Sequence, residues 1–516
     1  MKIVTAEQMV AIEQASERAG VSTDVLMENA GLAVAQAAWN LVGAVGVRVT
    51  VLVGPGNNGA DGLVAARHLR RWGCDVTCCV VAGRPDPDPK MALALEDQVR
   101  VTTGENLGVL LPNSALVIDA ILGTGRGRPL EGPVKGAMDA LGKARGGPKP
   151  PKLIALDLPT GLNSDTGEVD PSGVACDLTL SLGYPKAGLL EFPGTAHAGE
   201  TRVLDIGVPP GLEEETDIQL ELLEREWVAR HLPLRPLDSH KGTFGHALVV
   251  AGSRNYVGAA YLASMASVRS GAGLTTLASP QSVYPIVAAK ATEPIHLPLP
   301  EDGEGRVAAE AAAVIAEAPR RYSSLLVGCG LGQSDGTVRF AEALLFNGGV
   351  AELPVLVDAD GLNNLARIDG WAGRPHGPMV LTPHPGEMAT LTGLSTAEIQ
   401  ADRVSAAREY AARWDVCLVL KGANTVIARP DGMVRVGAFA NAGMASGGTG
   451  DVLSGVIAGL MAQGLAPAVA ACCGVYLHGT SGRWVTEEIG DAGLAASDLL
   501  TKIPRVMAWV KAGRSG

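Results

Sequence analysis

A chain of 516 residues with 47% apolar and 19% charged side chains is too long for one hydrophobic core and too apolar for disorder, so two globular domains are expected. The 54 acidic residues outnumber the 42 basic ones and give a net charge of -12, which excludes a general electrostatic attraction for nucleic acid or anionic lipid. Eight cysteines without CxxC or Cys/His spacing exclude a zinc or disulfide framework, and the lack of a signal-like or membrane-length apolar run points to the cytoplasm.

Residues 47–54 (VRVTVLVG) are rich in β-branched side chains and lead into Gly-Pro-Gly, after which residues 63–72 carry helical apolar spacing. A strand, loop and helix are predicted there. Apolar runs bounded by Gly or Pro recur at residues 74–83, 115–125 and 152–161. Such near-continuous runs suit strands covered on both faces, hence mainly parallel sheets and an α/β fold. A Pro-rich and acidic stretch after residue 207 marks a seam, placing the domains at 1–220 and 229–516 with a linker at 221–228. Beyond it the alternation restarts at His246, passes a small-residue helix at 258–269 and strands LTTLAS, SSLLVGCG, PVLVDAD, MVLTP and CLVLKG, and ends in a helix after Gly450-Asp451.

Open parallel sheets bind ligands beyond the carboxyl ends of their strands, so polar residues at those ends carry most functional weight. The loop Gly54-Pro55-Gly56 and the residues Asn57, Asn58, Gly59, Ala60 and Asp61 open a helix, where a glycine-rich backbone and the positive helix end favour a phosphate-bearing ligand. Asp119 ends one strand run ahead of Gly123, Thr124, Gly125, Arg126, Gly127, Arg128 and Pro129, and Asp157 ends the next, ahead of Thr160. Asn58, Asp119 and Thr160 offer only oxygen donors, which suits a hard cation. Taken singly, each motif also reads as a turn or helix cap; three at one sheet rim favour a site.

In the second half, the run NAGMASGGTGD at residues 441–451 leaves backbone N–H groups free to surround an oxyanion, and the helix behind it adds its positive end. Asp451 in the first turn would act as a base, a combination suited to phosphoryl transfer onto a hydroxyl. Lys421, Gly422, Ala423, Asn424 and Thr425 follow one strand, and Thr382-Pro383-His384-Pro385-Gly386-Glu387 follow another. Ser239-His240-Lys241-Gly242 and Gly328-Cys329-Gly330-Leu331-Gly332 complete the set.

GPGNNGADG, DAILGTGRGR and DLPTG, in this order, resemble the NAD(P)H-hydrate epimerase family over about the first 220 residues. The second set resembles the NAD(P)H-hydrate dehydratase family, a branch of the ribokinase-like fold, over residues 229–510. The resemblance implies a Rossmann-like three-layer αβα domain followed by a ribokinase-like αβα domain, acting on hydrated NADH and NADPH (NADHX and NADPHX). It makes residues 57–61 and 123–129 substrate-binding loops with Asp157 a further contact, and Asn58, Asp119 and Thr160 potassium ligands. In the second half it implies hydrate contacts at Ala260, Gly330, His384 and Asp451, nucleotide contacts at Lys421 to Thr425 and Gly450, magnesium-bound ADP or ATP, and a homo-oligomer. Ala60 stands where the family usually has Gly, Thr160 where it has Ser, and Cys329 where it has Pro.

Chemically, the hydrated ring carbon bears a hydroxyl beside the ring nitrogen, so its configuration inverts through loss and return of that hydroxyl or through ring opening. Asp157 is the candidate for proton transfer, because burial can tune a carboxylate toward neutrality. The competing reading is a ribokinase-like small-molecule kinase with a non-catalytic nucleotide-binding first half.

Overall fold

The computed structural model describes residues 1–124, 129–212, 218–317, 322–347 and 352–513. The chain divides into two compact units, Met1–Ile218 and Gln219–Gly516. Among the described residues no helix is long and apolar enough to cross a membrane.

The first unit is built on strands β1 (Arg48–Val53), β2 (Asp75–Val80), β3 (Arg100–Thr103), β4 (Leu116–Ala120), β5 (Lys152–Leu156), β6 (Leu178–Leu182) and β7 (Glu200–Leu204). All neighbours are parallel, in the order β3-β2-β1-β4-β5-β6-β7. Alternate residues of a strand face opposite sides. Val49, Val51 and Val53 of β1 therefore join a core with helices Ala6–Arg18, Thr23–Val42 and Asn57–Arg71, while Leu52 joins a second core with helix Gly132–Arg145. Three layers result. The strand order reverses between β1 and β4, which opens a crevice at their carboxyl ends.

The second unit holds β8 (Leu220–Leu222), β9 (His246–Val250), β10 (Leu274–Pro280), β11 (Ile295–Leu299), β12 (Ser324–Val327), β13 (Val355–Val357), β14 (Met379–Leu381), β15 (Cys417–Leu420), β16 (Thr425–Ala428) and β17 (Val434–Gly437). Their order is β11-β10-β9-β12-β13-β14-β15-β16-β17-β8, and here the reversal falls between β9 and β12. Val249 and Leu248 again point into separate cores on the two faces.

The β15-β16 and β16-β17 pairs are antiparallel, so residues 421–424 turn a hairpin. One expectation needs correction. The stretch 221–228 is not a linker: β8 pairs with β17, and helix Arg225–His231 buries Val228 completely. Alternating apolar residues at 218–223 give this segment a face to bury, and its acidic residues lie among them.

Candidate active sites

The turn after β1 is tight. A Cβ on Gly54 would lie 1.8 Å from the Ile121 carbonyl oxygen, and one on Gly59 2.1 Å from that of Gly54, so both positions require glycine. Arg84 fastens the turn by donating to the carbonyls of Gly54 and Gly56. Asn57 opens helix Asn57–Arg71 exposed, whereas Asn58, Gly59, Ala60 and Asp61 are buried. Among the described residues Asn58 Nδ2 and Asp61 Oδ1 have no hydrogen-bond partner. Unpaired buried polar groups cost about 1–3 kcal/mol each, so their presence at a strand end points to a ligand.

Asp119 is fully buried and accepts from the Thr160 amide and hydroxyl, each at 2.8 Å, and from the Ile121 amide at 3.2 Å. Burial pushes its carboxyl up and these bonds pull it back. Thr160 Oγ1 also accepts from the Leu122 amide at 3.1 Å, which fixes the turn leading to Gly123. A Cβ on Gly123 would stand 3.3 Å from Asn58 Oδ1 and 3.4 Å from Asp157 Oδ2, so the turn rests on both side chains. Asn58, Asp119, Gly123, Asp157 and Thr160 thus form one cluster. Thr124 is half-buried, Pro129 lines a neighbouring cavity of about 430 Å3 with Gly161 and Asp170, and Gly125, Arg126, Gly127 and Arg128 lie outside the described residues. A larger cavity of about 580 Å3, around Arg48, Asp75 and Arg100, lies at the opposite, amino ends of the strands and holds none of these residues.

Asp157 has φ +68°, a left-handed conformation uncommon for a residue with a Cβ. Its Oδ1 accepts from the Leu182 amide at 3.1 Å and from the ammonium of Lys186, which also donates to the Leu182 carbonyl at 2.9 Å. Lys186 is 1% exposed, so this is a buried ion pair. Burial, then the charges of Asp157 and Glu13, hold the Asp61 carboxyl well above the ordinary range, and burial also raises Glu13.

In the second unit helix Thr449–Ala462 starts from Gly448 at φ +93° with no side chain capping its N-terminus. Asp451 is in the first turn and is not a cap. Its carboxylate, that of Asp358 and the Cys329 sulfur lie within 4.8 Å of one another. Asp358 is saturated: Oδ1 accepts from Lys421 Nζ at 2.6 Å and Thr382 Oγ1 at 2.8 Å, and Oδ2 from Ser454 Oγ at 2.8 Å and Cys329 Sγ at 3.8 Å. Burial, then the Asp358 charge, pushes Asp451 up to about 7. Lys421 is raised as well, for a different reason: burial would lower it, but the charges of Asp358 and Glu387 outweigh burial.

Lys421 Nζ lies 3.5 Å from where a Gly450 Cβ would stand, directly beneath the glycine loop. Gly422, Ala423 and Asn424 turn the β15-β16 hairpin, with Asn424 at φ +52° and the Thr425 hydroxyl donating to the Gly422 carbonyl at 2.8 Å. His384 caps helix Pro385–Thr392: its Nδ1 accepts from the amides of Gly386 and Glu387 at 3.0 and 3.1 Å. An amide N–H only donates, so Nε2 carries the ring proton, 3.3 Å from Glu387 Oε1. The ring stays 55% exposed and available. Gly330, at φ +64°, packs on Tyr256 and Ala259 beside a cavity of about 210 Å3 lined by Arg254, Tyr256 and Gly332. Ala260 has no exposed surface and packs under Gly252.

Sequence reasoning missed Lys186, Asp358 and Glu387. Asp358 and Glu387 follow strands in quoted motifs, so the strand-end rule that found Asp119 would have found them. Lys186 had no such signal, because it lies after a bend beyond β6.

Residues 23–188 match the family described as YjeF-related protein N-terminus, and residues 247–505 match the NAD(P)H-hydrate dehydratase family. The bifunctional NAD(P)H-hydrate repair enzyme Nnr of Moorella thermoacetica is 39% identical over 98% of this chain and 97% of its own length. That of Thermofilum pendens is 38% identical over 98% and 96%. The chain belongs to the bifunctional NAD(P)H-hydrate repair enzyme family. Among solved structures, the ADP/ATP-dependent NAD(P)H-hydrate dehydratase from Bacillus subtilis, crystallised with ATP/Mg2+, aligns with a TM-score of 0.50 at 34% identity, covering 56% of this chain and 98% of that one. As a member of the repair family, the chain joins an epimerase in its first unit to a dehydratase on a ribokinase-like fold in its second.

Proposed function

We propose that the crevice of Asn58, Gly123 and Asp157 is the epimerase site and that the crevice of Gly448, Gly450 and Asp451 is the dehydratase site. The observation that carries the second assignment is a carboxylate pushed to about 7 at an uncapped helix N-terminus, above a buried lysine. Gly450 and the hairpin from Lys421 to Thr425 hold ADP or ATP, and Gly330, His384 and Asp451 face the hydrate. Asp451 takes the proton of the ring hydroxyl while its oxygen attacks the terminal phosphoryl group; the loop amides and the Lys421 charge stabilise that group in transit. The ring nitrogen's lone pair then expels phosphate, and the neighbouring carbon gives up a proton to restore the double bond. Phosphate leaves far more readily than hydroxide, which is why a nucleotide is needed.

Magnesium bound to the nucleotide would neutralise phosphate charge, and the Bacillus relative was crystallised with ATP/Mg2+. Asp358 is an unsuitable ligand for it, since Lys421 already occupies its inner oxygen. In the first unit, Asn58, Asp119 and Thr160 bring oxygen donors into one cluster, which fits potassium; the ion would supply a fixed positive charge beside the hydrate. All eight cysteines are free and buried, in keeping with a reducing compartment such as the cytoplasm.

The test is Asp451→Asn assayed on pure S hydrate and on pure R hydrate. Nucleotide-dependent recovery of the reduced-nicotinamide absorbance from the S form is expected to vanish, while conversion of R into S continues unchanged. Full dehydration by the variant would remove the assignment.

A further inference from the structure

The epimerase crevice holds a carboxyl group that substrate binding alone does not explain. Asp61 lies one helical turn beyond Asn58, on the same face of helix Asn57–Arg71. It is 6% exposed, and its Oδ1 has no partner among the described residues. The charged groups facing it are the Asp157 and Glu13 carboxylates and the Lys90 and Lys186 ammoniums. Neither cation is free to neutralise it: Lys90 is bound to Asp24 at 2.7 Å and Glu28 at 2.6 Å, and Lys186 is bound to Asp157. Burial and its carboxylate neighbours therefore favour the protonated form of Asp61, holding its carboxyl well above the ordinary range. Asp157 differs in its partners: Oδ1 is ion-paired with Lys186, and Oδ2 is turned toward Gly123 and Asn58. Two carboxyl groups from different elements, held in unlike environments, are how proteins separate an acid from a base.

Resting on the assignment of this crevice to epimerisation, we infer that Asp61 is a second catalytic residue, protonating the hydroxyl that leaves one face of the hydrated ring while Asp157 deprotonates the water that adds to the other. The steps balance. The carbon–oxygen bond breaks as the Asp61 proton passes to the hydroxyl, which departs as water, and the ring nitrogen's lone pair forms a double bond to the carbon. Water then attacks the opposite face, the nitrogen regains its lone pair, and the excess proton of that water goes to Asp157. Asp61 is left anionic and Asp157 protonated, which is the arrangement needed for the reverse inversion; exchange with solvent resets it.

The experiment uses the full chain, so that dehydration of pure S hydrate by the second unit reports protein integrity in the same sample. Isomer ratios are followed from pure R hydrate without nucleotide, in water enriched in oxygen-18. Asp61→Asn is expected to lower kcat at least about 100-fold, the usual minimum for loss of a general acid, with KM within a few-fold and the alkaline limb of the pH profile gone. Asp61→Glu keeps the acid and is expected to recover at least about tenfold of that loss. In the wild type each inversion is expected to bring in one solvent oxygen. Wild-type rates for Asp61→Asn beside an inactive Asp157→Asn would overturn the role of Asp61 alone, as would an Asp61→Glu no faster than Asp61→Asn, or retention of the original oxygen. Wild-type rates for both asparagine variants would instead overturn the location of the site.

Discussion

On the proposed assignment, pH enters the dehydratase through Asp451. A base works only when deprotonated, so kcat/KM for the S hydrate is expected to fall about tenfold per unit as pH drops below about 7. A limb near the ordinary carboxylate value would contradict the environment described. The same shift bears on stability with a definite sign. The folded carboxyl, raised from 3.8 to about 7, binds its proton more tightly than the unfolded one. Its stabilising contribution is complete below the unfolded value and lost as pH rises through about 7. The full loss amounts to about 4 kcal/mol. Asp451→Asn should therefore unfold at higher urea concentration than wild type at pH 8 and at the same concentration at pH 3. Catalytic function here opposes stability. At this scale Asp157 and Asp451 were legible as candidates because one ends a strand and the other opens a helix. The sequence hid Lys186 and the pairing of Lys421 with Asp358, because partners 29 and 63 residues apart meet only after folding.

The helix that carries Asp451 is held in place by the absence of side chains. Helix Thr449–Ala462 packs on helix Val257–Arg269 so closely that a Cβ on Gly455 would lie 2.2 Å from the Ala263 carbonyl oxygen, and one on Gly459 2.1 Å from Ser270 Oγ. Gly455→Ala must push the helices apart, at a cost of about 1–3 kcal/mol. Because Asp451 sits one turn upstream, dehydratase kcat is expected to fall while epimerisation is unaffected; urea unfolding and the two assays on one preparation check both. The small-residue runs 258–269 and 452–461 were plain in the sequence as helices. Their mutual contact was not, since small residues mark close approach without naming the partner. Likewise β16 and β17 escaped notice, because four residues such as TVIA or VRVG are too few to show an alternation, and the antiparallel hairpin followed from that gap.

The division of the chain differs from the sequence reading by about ten residues, and that difference has measurable weight. Pro and acidic residues suggested a linker at 221–228, yet Leu223 is 4% exposed, Val228 0%, and β8 adds a strand beside β17. Fully burying one such aliphatic side chain is worth about 1.5–3 kcal/mol, so a fragment beginning at residue 229 forfeits about 3–6 kcal/mol from these two alone. That is comparable with the whole stability of an ordinary domain. A fragment of residues 219–516 is expected to unfold cooperatively and to dehydrate S hydrate with nucleotide at the rate of the full chain, whereas 229–516 should be largely unfolded or aggregated at the same concentration. Equal stability of the two fragments in urea would mean that β8 and helix Arg225–His231 are appendages of the second core and that its true boundary lies where the acidic run ends.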